Sequence, residues 1–324
     1  MTSMLDNLSV VILNYRTPGD TAQAVQSIMS GARPDAAIPE VIVVDNGSND
    51  DSLRLIAEQC ACAKIIELGE NRGFAAGMNA GMAGSRGEYI LLLNSDVRVE
   101  PGSLEALLTH MGGNNLVGLA APLLLDDGGR PMRSLLVQPT IWRTFIPLLG
   151  KLQYARWKRR IGDQPVCVEA TEGAAVIVSR KALADVGLMD EQFFFYYEIV
   201  DWCMRFRSKG YSVQVLPAAR MRHACGTSVK TLWEASRVEI KRSEYQILCK
   251  HLGRTVAALA VWRDVLVGLL RTVLYSAALA CTVGRNHRIR AKLASYYGLV
   301  TWLFAGRPDR NDERYISLFG RWDR

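Results

Sequence analysis

Four short apolar runs in the first hundred residues limit what this chain can fold into: SVVILNY (9–15), EVIVVDN (40–46), KIIEL (64–68) and EYILLLNSD (88–96). Each is β-branched or continuously apolar, the pattern of a strand buried on both faces. Helix-like stretches over 18–30, 50–59 and 73–84 separate them. This alternation predicts an α/β fold with a mostly parallel sheet and flanking crossover helices. Open sheets of that kind place ligands at the carboxyl ends of their strands. Those ends carry Asn14 and Tyr15, then Asp45 and Asn46, then Asn94 and Asp96. Topology alone therefore brings three polar pairs to one edge.

From 117 to 225 the pattern is mixed. VGLAAPLLL and a DDGG turn precede EATEGAAVIVSR, and FFFYYEIVDWCMRFRSKG turns helical and stops at Gly210. A strand, YSVQVLP, follows, and His223 comes just after it. From about 231 the signals are helical only, which divides the chain into an α/β domain over 1–230 and a helical region over 231–324. Charge follows the same division. Residues 1–100 hold seven Lys/Arg against thirteen Asp/Glu, whereas 201–324 hold twenty-two against nine. Basicity belongs to the C-terminal part, where a polyanionic partner or an anionic membrane surface is to be sought.

The stretch 255–283 is long enough to span a bilayer but carries Arg263, Asp264 and Arg271 within roughly a quarter-turn of one face, at about 100° per residue. A helix lying in the membrane interface, or packed across the α/β domain, fits better than a spanning one. The plainer alternative is a core helix with a solvated charge run. RNHRIRAK (285–292) adds a basic cluster suited to anionic lipid heads. This charge lies beside apolar helices rather than interleaved aromatics, so no nucleic-acid partner is expected. Seven scattered cysteines without a C-x-x-C pair predict a reducing compartment. The N-terminus lacks a positive n-region, so the expected location is cytoplasmic.

After the first strand there is neither G-x-G-x-x-G nor G-x-x-x-x-G-K-[ST], which disfavours a dinucleotide cofactor or a P-loop nucleotide. Asp45 could accept from a ribose or a base ring, or simply form a DNG turn. Gly73, Gly77 and Gly81 share a helix face, as close packing requires, while Asn71 and Asn79 suit a sugar or phosphate oxygen near a helix start. Asp96 could hold a divalent ion that also grips phosphates, or cap a helix. His223 could be a packed histidine or a ligand. Glu198 and Asp201 are three apart on a predicted helix. Asp201 can pair with Arg205, leaving Glu198, beside the aromatic run 193–197, as the freer carboxylate and a general-base candidate. A surface ion-pair network is the alternative.

In order, VVILNY, VIVVDNGSNDDS, ENRGFAAGMNAG, YILLLNSDV and DEQFFFYYEIVDWCMRFRSKGYSVQVLPAARMRHACGTS resemble the family-2 glycosyltransferases of the GT-A fold, particularly the bacterial rhamnosyltransferase-like branch. The resemblance covers nearly the whole chain. It implies that Asp45 recognises the nucleotide base, with Asn14 and Tyr15 in the same pocket. It implies that Asn71, Gly73, Phe74, Asn79, Asn94 and Ser95 shape the diphosphate and sugar site. Asp96 is then the surviving acid of the family's D-x-D, and with His223 it would bind Mg2+ or Mn2+. The implied reaction is inverting transfer from a dTDP- or UDP-linked sugar, rhamnose foremost, to a lipid-linked or growing glycan. It would take place on the cytoplasmic membrane face. One departure stands out: the family's adjacent acids are here Glu198 and Ile199, which leaves Glu198, or else Asp201, as the base. The rival expectation is a catalytically idle membrane-bound partner that kept the nucleotide-sugar pocket.

Overall fold

The structure is a computed structural model and describes residues 4–31, 38–224, 233–282, 286–307, 309 and 311–313. It divides into two compact units, Met1–Gln138 with Ile146–Thr227, and Pro139–Phe145 with Ser228–Arg324. The boundary expected at 230 lies outside the described residues, and assignment of 139–145 to the helical unit has no counterpart in the sequence reading.

In the first unit the apolar runs become β1 (Leu8–Asn14), β2 (Glu40–Asp45), β3 (Lys64–Glu67) and β4 (Tyr89–Asn94). Between them lie α1 (Pro18–Gly31), α2 (Ser52–Gln59) and α3 (Phe74–Gly84). All four strands are parallel, in the order β3-β2-β1-β4. The core strands β1, β2 and β4 bury nearly every residue, as double-faced burial requires. Helix α3 lies close on β1, because a Cβ on Gly77 would fall 2.3 Å from Leu13 Cδ1 and one on Gly81 2.2 Å from Val11 Cγ1. The glycine spacing is thus used for packing.

The chain continues through β5 (Val97–Val99), α4 (Ser103–Gly112), β6 (Val117–Leu125) and β7 (Leu135–Leu136). After α5 (Ile141–Phe145), which belongs to the second unit, come α6 (Pro147–Lys158), β8 (Val166–Cys167), β9 (Ala170–Thr171), β10 (Ala175–Ser179), α7 (Arg180–Val186), α8 (Glu198–Ser208) and β11 (Ser212–His223). Beyond β4 the sheet is mixed rather than parallel. Strand β10 runs antiparallel to both β4 and β6, while β11 is parallel to β6 and antiparallel to β5. Among the described residues this makes a nine-stranded sheet. The antiparallel insertion matters for the site, since the start of β10 and the end of β11 reach the same edge as the carboxyl end of β4. His223 is the last residue of β11, not a residue beyond it.

The second unit contains α5 with α9 (Trp233–Leu252), α10 (Arg254–Cys281) and α11 (His287–Phe304). Val238, Leu248, Ala260, Leu299 and Trp302 form its core, and the Tyr245 ring stacks on Trp302 at 6.3 Å. The polarity of α10 is inverted relative to a soluble helix. Its charged face is turned inward: Asp264 accepts from Tyr245 Oη and Arg263 Nε at 2.9 Å each and lies 2.9 Å from Lys241 Nζ. Its other face exposes Leu259, Trp262, Leu266, Leu270, Val273 and Leu274, each more than half exposed. A core helix with a solvated charge run would show the reverse. By length and composition α10 could cross a membrane, and it is the only such helix among the described residues.

Candidate active site

The carboxyl edge of the sheet gathers the polar side chains. Asn14 and Asp45 are register partners at the ends of β1 and β2. Asn14 Nδ2 donates to Asp45 Oδ1 at 2.7 Å and to Ser48 Oγ at 3.0 Å, while Thr21 Oγ1 donates to Asn14 Oδ1 at 2.8 Å. The Ser48 backbone and hydroxyl also donate to Asp45. Asn14 is fully buried and Asp45 nearly so, and Asn14 braces the Asp45 carboxylate at the strand end. Tyr15 lies beside it, half-buried, with the Arg16 guanidinium 5.3 Å from its ring centre.

Next to this pair, Asn46 ties down the loop before α3. Its amide donates to Asn71 Oδ1 at 3.0 Å and accepts from Arg72 N at 3.0 Å, and Asn71 Oδ1 also accepts from Gly73 N at 3.1 Å. Gly73 has φ +88°, and a Cβ there would fall 2.5 Å from Phe194 O, the same carbonyl that accepts from Phe74 N at 2.8 Å. Only glycine fits, for conformation and for space. Through this contact the 71–74 loop is joined to the aromatic segment that leads into α8.

Asn79 lies deeper, on α3. Its Nδ2 donates to Met189 O and Glu191 Oε1 at 2.9 Å each, and its Oδ1 accepts from Met189 N at 3.0 Å. Both ends of the amide hold the 189–191 loop, which gives Asn79 a structural role in this fold. Asp201 is fully buried and bonded to Arg205 Nε at 2.9 Å, the pairing its helical spacing predicts.

At the end of β4, Asn94 N donates to Ala174 O at 2.9 Å, and Ser95 Oγ lies 3.0 Å from Thr17 Oγ1. Asp96 follows in the turn, with Oδ1 3.3 Å from His223 Nε2. Both side chains are partly exposed. A carboxylate and an imidazole so placed offer two donors to a divalent ion whose other positions substrate phosphates would fill, which is how such ions are held on few protein ligands. Among the described residues no group of three or more His, Cys, Asp or Glu could hold a metal without help from a ligand. The donor set fits a substrate-completed ion. The C-G-T-S end of the second block, 225–228, lies outside the described residues.

Glu198 opens α8. Tyr196 and Tyr197 just before it both adopt left-handed backbone, with φ 68° and 65°, a conformation costly for bulky residues and concentrated at functional sites. Glu198 is 6% exposed, and its buried Oε2 has no hydrogen-bond partner among the described residues. Burial, with a smaller contribution from the Glu172 charge, pushes its pKa up to about 7, against the lowering effect of the Glu198 and Ile199 backbone N–H groups. Glu172 itself was not singled out in the sequence. It stands in the loop before β10, and burial raises its pKa while Arg133 and His223 pull it down.

The arrangement can therefore support a proton-accepting carboxyl and a cation-assisted anion site on one sheet edge. This is the GT-A-like architecture, and residues 9–164 match the model of Glycosyl transferase family 2. The chain carries a family-2 glycosyltransferase domain. It is 27% identical over 217 residues to the low-salt glycan biosynthesis hexosyltransferase Agl10 of Haloferax volcanii, covering 65% of each chain. It is 28% identical over 242 residues to the N-acetylglucosaminyl-diphospho-decaprenol L-rhamnosyltransferase of Mycobacterium tuberculosis, covering 68% of this chain and 76% of that one. In fold it is similar to the crystal structure of GalNAc-T7 with UDP, GalNAc and Mn2+, with a TM-score of 0.57 at 16% identity over 74% of this chain and 47% of that one. It thus spans less than two thirds of the Haloferax protein and about half of the GalNAc-T7 chain.

Proposed function

We propose that this protein is an inverting, divalent-metal-dependent glycosyltransferase. It moves a sugar, most simply L-rhamnose from dTDP, to a lipid-linked acceptor at the cytoplasmic face of the membrane. The observation that carries the reading is Glu198: a buried carboxyl with an unsatisfied oxygen, held on a strained turn at the ligand edge of a glycosyltransferase fold. A carboxyl with pKa near 7 is matched to taking a proton at neutral pH. In the reaction, Glu198 accepts the proton of the acceptor hydroxyl as that oxygen bonds to the anomeric carbon. The bond from that carbon to the diphosphate oxygen breaks in the same displacement, so the configuration inverts. The nucleoside diphosphate leaves with the electron pair.

Asp45 and Tyr15 receive the nucleoside, the loop 71–74 borders the diphosphate and sugar, and Asn94 and Ser95 form the floor between them. Asp96 and His223 would hold the ion, which when bound supplies positive charge to the departing diphosphate. The Mycobacterium relative's rhamnosyl activity and decaprenol-linked substrate support the donor and acceptor chosen. A UDP-hexose is the second donor reading, favoured by the hexosyltransferase name of the Haloferax relative. The membrane location is supported by the outward apolar face of α10. Exposed Arg288, Arg290 and Lys292 on α11 add charge complementary to anionic lipid. Arg285 of that basic cluster lies outside the described residues. A helix whose polar side is occupied by its own unit and whose apolar side is open suits a monotopic attachment.

Calorimetric titration with dTDP and with UDP, each with Mn2+ and with EDTA, tests the reading. Metal-dependent binding of one nucleotide is expected. Binding of neither, in the presence of anionic vesicles, refutes the donor site and favours the idle-partner alternative.

A further inference from the structure

The mechanism above leaves Glu172 unused, yet its placement is specific. Strand β10 is antiparallel to β4, so the residues before it, Glu172, Gly173 and Ala174, arrive at the carboxyl edge, where Ala174 O accepts from Asn94 N. A Cβ on Gly173 would stand 3.6 Å from Ile199 Cβ and 3.9 Å from Glu198 Oε1, so this loop lies directly against the first turn of α8. Arg133 Nε is 3.7 Å from Glu172 Oε1, a loose, partly exposed ion pair. The charge of Glu172 is felt by Glu198 on one side, and it feels His223 on the other. Its side chain is thus within electrostatic reach of both Glu198 and His223, and it is about one third exposed (35%).

Building on the reading of Glu198 as the base, we propose that Glu172 is an acceptor-positioning residue. Held by Arg133, it accepts a hydrogen bond from an acceptor hydroxyl next to the one that reacts. Two hydroxyls on neighbouring sugar carbons can reach one carboxyl from the first turn of α8 and another from the loop that packs against it. An ionised oxygen accepts such a bond strongly, and orienting the nucleophile in this way acts on the encounter with the acceptor, not with the donor. Ile199, which a Cβ on Gly173 would meet at 3.6 Å, supplies no polar group from the helix side, and the loop before β10 brings the Glu172 carboxyl there instead. The same charge keeps Glu198 a stronger base than burial alone would.

The test uses the full chain with prenyl-diphosphate-linked N-acetylglucosamine as acceptor probe and the donor chosen by calorimetry. Glu172→Gln is expected to raise acceptor KM at least tenfold with donor KM and nucleotide affinity within twofold of wild type. Arg133→Gln, which leaves the carboxyl but frees it, gives an intermediate rise and guards against a folding artefact. A second readout needs no substrate: in protein labelled with 13C at the glutamate carboxyls, the resonance missing from Glu198→Gln should titrate at lower pH in Glu172→Gln. An unchanged acceptor KM overturns the proposal. So does loss of the Mn2+ dependence of nucleotide binding, which would make Glu172 an ion ligand instead. If Glu198→Gln is inactive while Glu172→Gln behaves as wild type, only this inference fails. If both retain full turnover, the base assignment fails with it.

Discussion

Replacing Glu198 by glutamine keeps the side chain's shape and removes its ability to ionise, and the structure predicts two effects that a neutral surface change would not produce together. The first is kinetic. General-base catalysis contributes roughly 10²- to 10⁴-fold, so kcat/KM should fall by that order, and the acid limb with its midpoint near 7 should vanish from any residual activity. The second is thermodynamic, and its sign runs the other way. The folded-state pKa is raised from 4.5 to about 7, so the folded chain holds this proton more tightly than the unfolded one. The stability that proton contributes is fully present below about 4.5 and is lost as pH rises to about 7. At about 1.4 kcal/mol per pH unit the loss amounts to roughly 3 kcal/mol. Glutamine does not titrate, so the variant should lose none of it. Thermal or denaturant unfolding at pH 5 and pH 8 measures this directly: Glu198→Gln should gain on wild type between the two pH values, by several degrees or the equivalent. A variant that is inactive and stabilised at pH 8 is the expected result. Turnover within a few-fold of wild type, or a pH dependence of stability identical to wild type, refutes the reasoning.

Asp45→Asn places an amide against the donors of Ser48 and Asn14, at a cost of about 1–3 kcal/mol for the unsatisfied contacts; nucleotide affinity by calorimetry should fall at least tenfold. Gly73→Ala should destabilise by about 1–3 kcal/mol, because its φ is +88° and the new Cβ meets Phe194. Gly69→Ala, with φ +74° but open space, should cost less in the same denaturant titration. His223→Ala should leave nucleotide binding that no longer responds to Mn2+ over EDTA, whereas a preserved response sinks its assignment as an ion ligand. Leu266→Glu with Leu270→Glu should abolish flotation with anionic vesicles while circular dichroism stays unchanged, since both side chains are more than half exposed.

The strands that carry the nucleotide end were readable because β1, β2 and β4 are buried on both faces, and continuous apolar runs have few other uses. Strand β11 was read too short. The run YSVQVLP stops at Pro217, yet Ala219 and Met221 are buried while Arg220 and Arg222 are exposed, a period-two pattern that carries the strand on to His223. The pairing of Asp201 with Arg205 is a four-residue helical spacing and was legible, and so was the freer state of Glu198. The bonds of Asn79 to the 189–191 loop were not legible, because its partners stand 110 and 112 residues away, beyond the reach of any local pattern. Glu172 escaped notice for a topological reason. Its position at the edge follows only once β10 is known to run antiparallel to β4, and apolar content does not disclose direction. The inward turn of the α10 charges was half legible: their common face could be read from the spacing, but its direction depends on Tyr245 and Lys241 of another helix.

The assignment of Pro139–Phe145 to the helical unit bears on how this protein can be taken apart. The polypeptide leaves the sheet unit after Gln138, contributes α5 to the helices and returns at Ile146, long before the remaining helices are made. The two units are interlaced in the chain, not strung one after the other. Truncation after residue 227 would therefore not release a clean sheet domain, since α5, with Ile141 and Trp142, would lose the helices it belongs with. A version reduced to the sheet unit needs an internal graft across 139–145 as well as a shortened end. The same constraint applies to any exchange of parts: the helical unit cannot be swapped by a single terminal fusion, because 139–145 belongs to it.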